Sequence, residues 1–185
     1  MGEGAGPLDV LTAVGRRSRD PEAGGSISGH VTPDTSWWGG VGIHVTVGDV
    51  VGCAEGVVHE VGHLRVHALG IDVEHHDGQW LANAQDELYD SPIRKDKKRP
   101  MSAVVHAHYS YVMVTQLDVH LLAAGGRLRP AVARSATVNV GRLQEGVETL
   151  RRYARWTPRG QGWADAVLRW SDRVIAAAQR HLEAT

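Results

Sequence analysis

The chain has 185 residues, 42 % hydrophobic and 22 % charged, with a formal net charge of −1. That length suits one domain with a sizeable core. The composition is globular and excludes a disordered chain, and no apolar run is long enough to span a bilayer.

Met1 to Gly6 is small and acidic and lacks the basic-then-apolar pattern of a secretion signal, so the expected location is cytoplasmic. Cys53 is the single cysteine. It has no partner for a disulfide or a thiolate metal site and reads as a small buried residue. Histidine occurs 11 times, Trp six times and Phe not at all.

Residues 1–25 are Gly-rich and read as a flexible segment with one short helix over Leu8, Val10, Leu11 and Val14, opened by Pro7. Residues 26–185 read as a single domain. Ile27 and the run from Val41 to Val47 predict two or three strands, with Trp37-Trp38-Gly39-Gly40 as a loop.

Asp49 can cap a helix carrying Val50, Val57, Val58, Val61, Leu64 and Ala68 and ending near Gly70. Gly52, Gly56 and Gly62 weaken it by about 1 kcal/mol each relative to Ala, so packing or a ligand must compensate. Gly62 would also let another backbone approach closely.

A further helix is predicted over Trp80–Tyr89, then a cationic loop from Asp90 to Arg99 bounded by Pro92 and Pro100. A long helix follows from Met101 to Ala124, stopped by Gly125-Gly126. Two amphipathic helices close the chain. Leu143, Val147 and Leu150 stripe the first, over Gly141–Trp156. Trp163, Val167, Trp170, Val174 and Ala178 stripe the second, over Trp163–Leu182. These tryptophans read as helix-packing residues. The eight arginines from Arg127 to Arg159 read as a solvated face, and no nucleic-acid-binding motif accompanies them.

The segment His59-Glu60-Val61-Gly62-His63 is an H-E-x-x-H run. Imidazoles four residues apart on a helix project from one face and can share a metal ion, with the intervening Glu beside a bound water. The third ligand decides the chemistry. His67 lies on the same face, but about 12 Å along the axis from His59, and reads as a supporting or core residue. Glu87 would complete a zinc hydrolase site with Glu60 as general base. His106 and His108 are the histidine candidates. Two residues apart on a helix, they point about 200° apart, so only one can face the metal, and pattern alone does not choose. His75, His76 and His120 read as solvated or structural.

Three blocks occur in order: His59-Glu60-x-x-His63; Leu88-Tyr89-x-Ser91-Pro92-x-Arg94-x-Asp96 with Arg99-Pro100; and His106-x-x-Tyr109-x-Tyr111. Together they resemble the HExxH-type 2-oxoglutarate-dependent peptide β-hydroxylases, which tailor ribosomally made peptides. The likeness spans roughly residues 45–125. Ile93 stands where the family has Trp, and Lys97-Lys98 adds one residue before Arg99.

The resemblance implies an oxidoreductase, a dioxygenase with iron(II) held by His59, His63 and His106 and with 2-oxoglutarate as cosubstrate. It selects His106 because Tyr109 and Tyr111 then fall on the family's aromatic positions. The implied reaction hydroxylates the β-carbon of a residue in a peptide, with room for a separate peptide-recognition protein and no nucleic-acid or membrane partner. A guanidinium fork suits the distal carboxylate of 2-oxoglutarate, and Arg94 or Arg99 is expected to supply it. Glu60 would orient a metal-bound water or hold a histidine. A zinc hydrolase and a non-catalytic module stabilised by metal are the alternatives. The expected fold is α+β and mainly helical, with a small β layer beside the metal helix, a zincin-like minimal core.

Overall fold

A computed structural model describes residues 48–70, 79–93 and 95–184, together with the strand backbone at 29–30 and 42–43. The described chain is mainly helical. Its elements in order are β1 (Gly29–His30), β2 (Gly42–Ile43), α1 (Val50–Ala68), β3 (Leu88–Tyr89), β4 (Arg99–Pro100), α2 (Met101–Ala124), α3 (Arg129–Tyr153) and α4 (Pro158–Glu183). The expectation of a flexible segment and short helix in residues 1–25 lies outside the described residues, as does most of the Val41–Val47 run. Among the described residues, no helix is long and apolar enough to cross a membrane.

The centre of the molecule is α2, which packs against α1, α3 and α4. Its sequence explains that position. Val104, Val105, Tyr109, Val112, Val114 and Leu122 leave it apolar on nearly every side, and such a helix is stable only when surrounded. Val112 joins Val140, Leu143, Val147, Val174 and Ile175 in one core cluster, while Met101, Val104 and Val105 join Leu81 and Leu150 in another. Each such side chain contributes about 1.5–3 kcal/mol on burial.

Asp49 caps α1 as expected, its Oδ1 accepting from the Gly52 N–H at 2.9 Å. Gly62 is where α1 meets α2. A Cβ there would stand 2.8 Å from the Ser110 Cα and 2.8 Å from its Oγ, so only glycine fits without a shift. On another side of α2, a Cβ at Gly146 of α3 would collide with the ring of His108. These two close approaches set how α2 is rotated between its neighbours.

The helix expected over Trp80–Tyr89 does not form. Its backbone is engaged by the α3–α4 connection instead: the Ala82 N–H donates to the Arg155 carbonyl at 2.7 Å, and the Thr157 N–H donates to the Trp80 carbonyl at 3.1 Å. Asn83 Nδ2 donates to the Tyr153 carbonyl at 2.9 Å, and its Oδ1 accepts from the Arg155 N–H at 2.7 Å. Two backbone groups are thus satisfied from outside, and the Asn83 side chain fastens the segment to the same connection in place of an internal helical ladder.

The segment ends in β3, which pairs antiparallel with β4 in the register Leu88 with Pro100 and Tyr89 with Arg99. A second short ladder, β1 with β2, pairs Gly29 with Ile43 and lies beside α1. The closing helices also begin earlier than expected. α3 starts at Arg129, with Val132, Ala136, Asn139 and Val140 adding buried positions at helical spacing. α4 starts at Pro158, where the Thr157 hydroxyl accepts from the Gly160 N–H at 3.1 Å. Cys53, expected to be buried, is half-buried, because α1 packs mainly through Val51, Gly52, Gly56, Glu60, Gly62 and Val66.

Candidate metal centre

His59 and His63 face α2, one turn apart on α1, and His106 meets them from the second turn of α2. His63 Nε2 lies 2.9 Å from His59 Nε2, and His63 Nδ1 lies 2.8 Å from His106 Nε2. The rings meet edge to face, with centroids 4.5 Å and 4.1 Å apart. Two imidazoles bound at right angles to one ion at metal-ligand distance hold their nitrogens about 3 Å apart, so the His59–His63 spacing suits a shared ion, whereas His106 meets His63 through its other nitrogen and would have to turn its ring to join the same ion. His59, Glu60 and His63 offer ligand atoms within 4.8 Å of one another.

A single ion takes only one nitrogen of His63. If Nε2 serves, Nδ1–H faces both His106 Nε2 at 2.8 Å and the Ser110 hydroxyl at 3.1 Å, and it donates to Ser110 once His106 has turned to the ion, while Ser110 Oγ donates to the His106 carbonyl at 3.3 Å. Such a partner fixes the tautomer and aim of a ligating histidine. Ser110 thus touches both helices of the centre, through the contact that Gly62 permits.

Burial sets the protonation of the centre. It pushes the His59 pKa down to about 4. It pushes His63 to about 3, helped by the positive charge that His106 and His59 would carry. Both rings are therefore neutral at neutral pH, the form that binds metal. Glu60 is 2 % exposed and is the only carboxylate in the metal-capable group found among the described residues.

His108 goes elsewhere. It is fully buried on another side of α2, against Gly146, and its Nε2 contacts Ser171 Oγ at 2.9 Å. Burial lowers its pKa to about 4. His67, read as a supporting or core residue, is exposed in the last turn of α1. His120 is exposed, and His75 and His76 lie outside the described residues.

Glu87 is occupied away from the histidines. It accepts from Arg155 Nη2 at 2.6 Å and from the Tyr89 hydroxyl. The Arg155 hydrogen bond, then that of Tyr89, holds its pKa near 2. Arg99 sits half-buried in β4, whose end leads directly into α2 and the His106 turn. Arg94 lies outside the described residues. In the loop between β3 and β4, Lys95 pairs with Glu145 of α3, and Lys98 pairs with Asp90 at 3.7 Å.

Tyr111, which the resemblance puts on one of the family's aromatic positions, lies beside the histidines, and Asp118, further along α2, has no counterpart in the sequence reading. Tyr111 stands edge-on to His59, centroids 5.3 Å apart, and accepts from Arg142 Nη1 at 3.0 Å. Two turns further along α2, fully buried Asp118 accepts from Asn139 Nδ2 at 2.9 Å. Burial, with Glu55 adding to it, raises the Asp118 pKa well above the carboxylate range, against the Asn139 hydrogen bond. Helical spacing was the available signal: Ser110 is one turn beyond His106, and Glu55 one turn before His59. No family model, curated protein or solved structure matches the chain.

Proposed function

We propose that the chain is an iron(II)/2-oxoglutarate-dependent hydroxylase acting on the β-carbon of a residue in a peptide. The observation that carries this reading is the 2.8 Å approach of His106 Nε2 to His63, the neighbour of His59 on the H-E-x-x-H face. Three neutral imidazoles suit iron as well as zinc, and the choice of iron rests on the motif resemblance. The pairing of Tyr89 with Arg99 adds support, because it joins two of the motif blocks into one hairpin that runs into the third.

In this reading His59, His63 and His106 hold the metal. Bound iron supplies oxygen activation coupled to oxidative decarboxylation of 2-oxoglutarate to succinate and carbon dioxide. The residues around it do three things. Burial keeps His59 and His63 unprotonated. Ser110 holds the His63 ring. Glu60, the adjacent carboxylate, orients a water or a ligand histidine. A donor set without a carboxylate leaves the ion's full charge to attract an anionic keto acid, and Arg99 or Arg94 receives the distal carboxylate.

The zinc-hydrolase alternative loses its third ligand, since Glu87 is engaged by Arg155 and Tyr89. The β1–β2 ladder beside α1 supports a zincin-like description of the core. The test is succinate formation from 2-oxoglutarate by the iron-loaded protein, with a candidate peptide gaining one oxygen atom. Peptide cleavage without succinate would overturn the reading.

A further inference from the structure

Arg142 of α3 stands one ring away from the histidines. Its Nη1 donates to the Tyr111 hydroxyl at 3.0 Å, and the Tyr111 ring meets His59 edge-on. From the centre of that ring, His59 lies at 5.3 Å and the guanidinium carbon at 5.5 Å. All three residues are half-buried, so solvent still reaches each of them.

A half-buried guanidinium sheds part of its hydration and calls for an anion. Arg151 and Arg155 are exposed, and yet each has one: Asp172 at 2.7 Å and Glu87 at 2.6 Å. Among the described residues, no carboxylate forms an ion pair with Arg142, and its hydrogen-bond partner is the neutral Tyr111 hydroxyl. Glu55, the acid whose charge also reaches Tyr111, is hydrogen-bonded to Asp118 instead.

This guanidinium is also well separated from Arg99. Arg99 lies in β4, which ends where α2 begins at Met101. Tyr111 is about 15 Å further along the helix axis. A 2-oxoglutarate that extends toward the β4 end would leave the Tyr111 end to the substrate.

We propose that Arg142, steadied by Tyr111, is a carboxylate-binding subsite for the substrate, so that the peptide taken by this centre carries an acidic residue close to the one that is hydroxylated. This rests on the hydroxylase reading. The guanidinium has five N–H donors, so it can offer a carboxylate two parallel hydrogen bonds while one N–H stays on Tyr111. An extended peptide advances about 3.3–3.6 Å per residue. An Asp or Glu one to three positions from the residue held at the metal therefore spans the width of the Tyr111 ring.

Two binding measurements test this on the full chain loaded with zinc, where no oxidative turnover intervenes. The first probe is a pool of end-capped heptapeptides in which the positions flanking a varied central residue hold Glu or Gln in equal amounts. Mass spectrometry of the bound fraction should show Glu enriched several-fold over Gln at one position in wild type. Arg142→Met should abolish the enrichment, since a hydrogen-bonded charge pair contributes roughly tenfold to a hundredfold in affinity. Arg142→Lys should restore part of it. Tyr111→Phe, which keeps the ring and removes the hydroxyl, should reduce it less than Arg142→Met does. Circular dichroism checks that the variants remain folded. No enrichment in wild type, or equal enrichment in folded Arg142→Met, overturns the subsite.

The second probe compares 2-oxoglutarate with 2-oxobutyrate, which lacks the distal carboxylate. Calorimetric titration should give wild type and Arg142→Met the same preference for 2-oxoglutarate. A preference lost in Arg142→Met would assign the guanidinium to the cosubstrate and overturn its assignment to the peptide. Absence of succinate from the iron-loaded protein overturns the hydroxylase reading, whereas these two measurements, which need no iron, report on Arg142 separately.

Discussion

Gly62 of α1 lies directly against Ser110 of α2: a Cβ at position 62 would stand 2.8 Å from both the Cα and the Oγ of Ser110. The same Ser110 hydroxyl touches His63 Nδ1. The helix contact and the candidate centre are therefore one piece of geometry.

Gly62→Ala should push α1 from α2 and separate His63 from His106. Overpacking of this kind costs about 1–3 kcal/mol, despite the better helix propensity of Ala. Thermal unfolding should show the loss, and calorimetric titration should show metal binding weakened by at least roughly tenfold, the lower end expected when support for a ligand is disturbed. Unchanged affinity would detach the helix contact from the centre.

His106→Ala and His108→Ala should separate cleanly, although the residues are two apart. The first removes a candidate ligand and should abolish tight metal binding with little change in metal-free stability. The second empties a fully buried position beside Ser171 and should cost about 2–5 kcal/mol, as other large-to-small core changes do, with metal stoichiometry kept. The opposite ranking would move the centre to His108.

Ser110→Ala tests the outer support of the centre. Removing a partner that orients a ligand histidine costs roughly 10–100-fold in metal affinity. The same variant should leave the fold intact, since Ala fits wherever Ser does.

Metal-free stability should depend on pH in two opposed ways. His59, His63 and His108 have folded pKa values of about 4, about 3 and about 4, against 6.5 when unfolded. As pH falls below 6.5 the unfolded chain takes up protons that the folded one refuses, so stability is lost progressively toward pH 3. Asp118 has the opposite sign. Its raised pKa means that the folded state keeps a proton the unfolded chain releases, so its contribution is full below about pH 4 and is lost as pH rises toward its folded value. Three histidines outweigh one carboxyl on the acid side, while Asp118 acts alone above 6.5. The melting temperature should therefore peak near neutrality, and Asp118→Asn should flatten the alkaline limb. A melting temperature that rises steadily from pH 5 to pH 9 would refute the assignment.

Glu87→Ala should leave metal binding unchanged and produce only a small shift in melting temperature, because its ion pair with Arg155 is solvent-exposed. Arg99→Ala should instead raise the apparent requirement for 2-oxoglutarate far more than that for iron. Equal 2-oxoglutarate dependence in Arg99→Ala and wild type would remove Arg99 from cosubstrate binding.

Local patterns were legible where physics is local. The H-E-x-x-H spacing puts two imidazoles on one helical face whatever surrounds it, and Asp49 caps α1 through a bond spanning three residues. The Trp80–Tyr89 segment departs from the helix its residues predict because its hydrogen-bond partners lie some seventy positions away, around Tyr153 to Thr157. The early start of α3 leaves little mark in the sequence because arginine, serine and threonine dilute the stripe of Val132, Ala136 and Val140.

The amino-acid sequence alone determined that the chain is mainly helical and that one helix carries a paired-histidine motif, since both follow from residue type and the 3.6-residue period. Which way His106 and His108 point was decided only by tertiary structure. α2 is apolar on nearly all sides, so no stripe orients it. Its rotation is set by two tight approaches, Gly62 on Ser110 and Gly146 on His108, which turn one imidazole toward the H-E-x-x-H pair and bury the other in the core.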